Sequence, residues 1–170
     1  MIAKLRQLLR THLGAGEGAR DADGLELGLA TATLLMEVAR ADSRISEEER
    51  QTVGRLIERH FSLPPASTRE IMASAEHESR YATSLYPFTR LINRTCSPEE
   101  KVQIIGMLWQ VTCADGHVDK YEEHLVRRLA DLLYVPHSDF IRMKLRVIDD
   151  QDAGDVDPPV GDGPVRDQGK

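Results

Sequence analysis

Aromatic side chains are scarce in this chain, with three Phe, four Tyr and one Trp in 170 residues. Its apolar content is mostly Leu, Ala, Val and Ile, a mixture that favours helices over sheets. No segment of useful length alternates apolar and polar residues with period two, so a sheet is not expected. The two cysteines, Cys96 and Cys113, form no CxxC motif and fit a reducing compartment. No apolar run reaches transmembrane length and the first residues carry no secretory pattern, which makes the cytoplasm the expected location. A basic stripe and aromatic–basic interleaving are both missing, which argues against nucleic acid as a partner. So are a GxSxG motif, a glycine-rich phosphate loop and a Cys–His pairing signal, and the chain is expected not to be an enzyme.

The length suits one domain, large enough to bury a core without disulfides or metals. The formal charge is −6, and most of the excess sits between Asp149 and Lys170, where seven Asp face only Arg166 and Lys170. Residues 1–22 are expected to be an N-terminal amphipathic helix (Ile2 to Leu13) followed by a Gly-rich linker. Residues 23–148 are expected to form the helical domain, and residues 149–170 a disordered acidic tail. The cationic Ile2–Leu13 segment suits either packing on the bundle or a position on a membrane surface.

Within the domain the chain repeats itself. Leu34-Leu35-Met36-Glu37-Val38-Ala39-Arg40-Ala41-Asp42 returns as Met107-Leu108-Trp109-Gln110-Val111-Thr112-Cys113-Ala114-Asp115. Ile45 and Glu49 fall on Val118 and Glu122, and further on Val53, Leu56 and Phe61 fall on Val126, Leu129 and Tyr134. A match of this length predicts one supersecondary unit used twice, over about 25–63 and 98–136. The predicted fold is therefore an all-α, single-domain bundle of seven to eight helices, built from two pseudo-symmetric helix–acidic turn–helix repeats. Helices are expected over about 23–40, 46–61, 66–80, 87–95, 98–114, 119–133 and 139–147. Ser46/Glu49 and Asp119/Glu122 mark helix starts, as does Ser97-Pro98-Glu99-Glu100. Pro64-Pro65 and Pro136 mark breaks. Trp109 stands where Met36 stands in the first copy, and both are expected in the core.

Each repeat places an Asp at the end of its central helix and a Glu seven residues later. The second turn offers Asp115, His117, Asp119, Glu122 and Glu123. The first offers Asp42, Glu48, Glu49 and the hydroxyl of Ser46. Clustered carboxylates suit hard cations such as Ca²⁺, Mg²⁺ or Mn²⁺, and His117 extends the choice to Zn²⁺. The spacing is not that of an EF-hand: counted from Asp115, Lys120 stands at position six and Val126 at twelve. Arg44 in the first turn opposes a cation. The alternative is structural, with Asp closing turns through the backbone two residues on and Glu49 and Glu122 serving only as caps. Cys113 lies on an apolar helix, where a thiol is expected to be inert.

Ala41-Asp42-Ser43-Arg44-Ile45-Ser46-Glu47-Glu48-Glu49 and Ala114-Asp115-Gly116-His117-Val118-Asp119-Lys120-Tyr121-Glu122 resemble the ADGxIxxxE signature of the TerB-like tellurite-resistance proteins. Leu85–Arg90 and Ala130–Ile141 add to the likeness, which spans about Leu25 to Val147. The resemblance implies an all-helical fold and a bacterial cytoplasmic protein tied to tellurite and related stress resistance. It also implies a divalent-metal site carried over onto Asp42, Glu49, Asp115 and Glu122. Ser43, where the signature has Gly, and Arg44 depart from the pattern in the first copy. The partners it implies are other proteins, such as resistance-system components at the inner membrane, with a peripheral position there. A metal-free, co-chaperone-like interaction scaffold is the alternative.

Overall fold

The computed structural model describes residues 18–154. The expected helix over Ile2–Leu13 and residues 155–170 of the expected tail lie outside the described residues, whereas residues 149–154 of that tail are helical. Among those residues there are seven helices and no strand: α1 Gly18–Ala39, α2 Glu47–His60, α3 Pro65–Tyr81, α4 Tyr86–Thr95, α5 Pro98–Thr112, α6 Lys120–Leu132 and α7 His137–Gly154.

Composition decides which helices are central. In α1 every residue from Leu29 to Met36 is buried, so it is wrapped on all sides, by α2, α3, α4, α5 and α6. Two threonines inside that run, Thr31 and Thr33, are also buried, and Thr33 Oγ1 donates to Leu29 O at 2.8 Å. Helix α5 is the second core helix, buried from Ile104 through Trp109. The outer helices show the narrower stripe of a half-exposed element. In α2 the buried residues are Glu49, Val53 and Ile57, and in α6 they are Glu122, Val126, Leu129 and Ala130.

The starts of α2, α5 and α6 follow their sequence signals. Ser46, Ser97 and Asp119 are the cap residues, each reciprocated by an acid three residues on in a capping box. The last helix differs from expectation. It begins at His137, which puts Ser138 inside its first turn rather than at its cap, and it runs past Val147 to Gly154. Its far end is tied to the bundle by Gln151 Nε2, which donates to Cys113 O at 2.8 Å.

The match between the two copies also shifts near its end. Phe61 and Leu133 are the residues that close α2 and α6, and Ser62 and Tyr134 follow them in the left-handed conformation at φ 51° and 58°. Leu63 N–H then reaches Glu58 O, and Val135 N–H reaches Ala130 O, the six-to-one bond of a Schellman ending. Phe61 therefore corresponds to Leu133, not to Tyr134. Leu133 is fully buried whereas Tyr134 is 80% exposed.

Candidate functional site

The two acidic turns are built alike. Each leaves its central helix through one residue in the left-handed region, Ser43 at φ 72° and Gly116 at φ 79°. Asp42 Oδ1 accepts from Arg44 N–H at 2.9 Å, and Asp115 Oδ1 accepts from His117 N–H at 2.9 Å. These are Asx turns, in which the side chain stands in for a backbone acceptor. Next come the capping boxes. Glu49 Oε2 accepts from Ser46 N–H at 2.7 Å, and Glu122 Oε2 accepts from Asp119 N–H at 3.2 Å. Each of the four sequence-predicted carboxylates thus has one oxygen held by a backbone amide, which fixes its direction.

Burial separates the four. Glu49 and Glu122 are each only 3% exposed, while Asp42 and Asp115 are exposed. The reason lies in spacing. Glu49 precedes Val53 and Ile57, and Glu122 precedes Val126 and Ala130, at steps of four residues along one face. Residues so spaced stack on the same side of a helix, so the face that carries the core also carries the acid.

The two buried acids meet. The protonated Glu122 carboxyl donates a hydrogen bond to the Glu49 carboxylate, and the negative charges of Glu49 and Asp42 act on it as well. Desolvation is the largest influence and pushes the same way, against only the backbone bond from Asp119; the result is a pKa raised to about 8. At neutral pH this pair shares a proton, because two adjacent buried carboxylates cannot both ionise cheaply. The contact runs across the two hairpins, from α2 to α6. The sequence pattern had suggested one acidic pocket within each hairpin.

The remaining predicted donors go elsewhere. Asp115 acts with Glu122 on Cys113, whose thiol is pushed up mainly by burial. Glu123 Oε1 is bound by Lys144 Nζ at 3.0 Å and by Arg127 Nη2 at 3.4 Å. Glu48, His117 and His124 are exposed. His117 keeps its Nδ1 at 3.4 Å from Asp115 O. Among the described residues no group of three or more His, Cys, Asp and Glu is arranged to hold a metal ion. Glu49 and Glu122 are the two predicted donors that the fold brings together, and Asp42 acts on Glu122 through its charge alone. The cysteines show no activated thiolate. Cys113 is buried, and burial pushes the Cys96 thiol up to about 11.

The fold is a single all-helical domain in which the two acidic turns lead into the buried Glu49–Glu122 pair. The family model for "Tellurite resistance protein TerB" matches residues 28–145, and the chain belongs to that family. No curated protein and no solved structure matches the chain. None of the described helices is long and apolar enough to cross a membrane.

Proposed function

We propose that this chain is a non-catalytic, tellurite-resistance-associated module whose acidic seam takes up a divalent cation in exchange for a proton. Membership of the TerB family supports the association with tellurite resistance. The supporting observation for the cation is the buried Glu49–Glu122 pair, whose influential neighbours are themselves acids. Such a pair is costly when fully ionised and is relieved either by a proton or by a positive ion. Oxygen donors of this kind select hard cations, Ca²⁺, Mn²⁺ or Mg²⁺, ahead of Zn²⁺. Asp42 would join Glu49 and Glu122 by turning its second oxygen inward, and Asp115 would shape the field at the rim. Because the pair bridges α2 and α6, loading would change how firmly the two hairpins hold each other.

Calorimetric titration of the chelator-stripped chain with each cation tests the proposal. Saturable binding that Glu122→Gln abolishes supports it. Absence of heat with every cation, or a Glu122→Gln variant that binds as the parent does, overturns it.

A metal-free interaction scaffold is the second reading, and one observation favours it. Tyr81, Tyr86, Tyr121 and Tyr134 are all exposed, by 59% to 80%, and tyrosine is enriched where proteins meet. An unchanged melting temperature on adding EDTA, with a partner protein recovered by pull-down, would favour this reading.

A further inference from the structure

A cleft of about 740 Å³ opens between α2, α5 and α7, and none of Asp42, Glu49, Asp115 and Glu122 lines it. Its floor is α5, which presents Gln103, Gly106, Met107 and Gln110 along two turns. The flexible Met143 side chain packs its methyl group against Gly106, in the space a Cβ there would take. The walls are basic. Helix α2 contributes Arg55 and Arg59, one turn apart on the same face, and α7 contributes Arg146.

All three arginines are exposed, and none forms an ion pair with a described residue. Arg55 is braced along its own helix, with Nη2 donating to Thr52 Oγ1 at 3.0 Å. Asp150 is the one acid among the described lining residues. Arg59 has a structural role available, since it lies in the last turn of α2, where cations complement the helix dipole. That role does not extend to Arg55, a turn earlier, nor to Arg146, which lies in the interior of α7.

We propose that this cleft binds a small organic phosphate. Arg55, Arg59 and Arg146 hold its phosphate groups, and its apolar body lies on Met107 and Met143 between the amides of Gln103 and Gln110. Arginine presents a planar fork that pairs with phosphate oxygens two at a time. Methionine adapts its shape to flat apolar groups. The volume falls within the ~300–1,000 Å³ of typical small-molecule sites. This inference is independent of the cation proposal, because the two sites share no residue.

The test is a titration of the ¹⁵N-labelled full chain with ATP, at low salt and with EDTA present to keep the acidic seam empty. Inorganic triphosphate is the parallel probe. Saturable shifts confined to α2, α5 and α7 are expected, with triphosphate binding several-fold more weakly than ATP. The double variant Arg55→Glu/Arg146→Glu should weaken ATP at least about tenfold, and the single variant Arg146→Ala a few-fold. Arg90→Glu, on exposed α4 surface away from the cleft, should leave affinity unchanged. The proposal is overturned by any of four results: no saturation up to about 10 mM, shifts centred outside the cleft, triphosphate binding as well as ATP, or Arg90→Glu weakening ATP as much as the cleft variants.

Discussion

Glu49 and Glu122, far apart in sequence, share a hydrogen bond across the two helical hairpins and are buried together. Each is anchored from behind by the backbone amide of its own cap residue. Turning either acid away would therefore break one of the two bonds of its capping box.

That geometry fixes a pH dependence. An unfolded glutamate titrates near 4.5, whereas Glu122 in the fold titrates at about 8. Between those values the folded chain keeps a proton that the unfolded chain has released. Stability from this group is therefore complete below about 4.5 and declines as the pH rises to about 8. Glu122→Gln should remove the decline, since the amide oxygen can still accept from Asp119 N–H. Thermal melts should place the variant several degrees above the metal-free parent near pH 8, at about 2–4 °C for each kcal/mol, and level with it near pH 4.5. An equal difference at both pH values would contradict this.

The turns themselves make a paired prediction. Ser43 and Gly116 hold the same left-handed conformation, which costs a residue with a Cβ about 1 kcal/mol. Space is open around Gly116, so backbone conformation alone is at stake there. Gly116→Ala should therefore destabilise by about 1 kcal/mol and Ser43→Gly should stabilise by up to a similar amount. Urea unfolding of the two variants checks both signs.

Trp109 anchors the core. It is fully buried, its ring lies 5.3 Å from that of Phe140, and Lys144 Nζ stands 5.1 Å from its centroid. Its Nε1 has no hydrogen-bond partner among the described residues, so its value lies in volume rather than polarity. Trp109→Ala should cost about 3–5 kcal/mol in urea unfolding, and Trp109→Phe much less. Similar losses for both would assign the indole nitrogen a role.

Much of this fold is legible in the sequence. Capping boxes at Ser46, Ser97 and Asp119 are local chemistry, readable from four residues at a time, and the apolar surrounds of α1 and α5 mark them as central. The last helix extends past Val147, and within the extension Gln151 bonds the carbonyl of Cys113, a tertiary contact that no local composition announces. The alignment of Phe61 with Tyr134 fails because α6 closes one residue earlier than α2 relative to the repeat. At the site, the acids were visible but their meeting was not. The available signal was the four-residue step from Glu49 to Val53 and from Glu122 to Val126, which places each acid on the face that packs inward.

The four acids are not equivalent, although the signature presents them as two equal pairs. Asp42 acts on Glu122, whereas Asp115 acts on Cys113. Asp42→Asn should therefore lower the Glu122 pKa and weaken any cation bound there more than Asp115→Asn does. Carboxyl chemical shifts followed through a pH titration of each variant give the first comparison, and calorimetry the second. An Asp115→Asn effect equal to or larger than that of Asp42→Asn would contradict the asymmetry.

Exchange of a proton for a cation is tested most directly by counting protons. Titrating the stripped chain with Mn²⁺ or Ca²⁺ at pH 7, in two buffers of different ionisation heat, measures protons released for each ion bound. The Glu49–Glu122 pair predicts a release approaching one proton per ion in the parent chain, with neither binding nor proton release in Glu122→Gln. Binding without proton release, or no binding in either buffer, would contradict a cation at this seam.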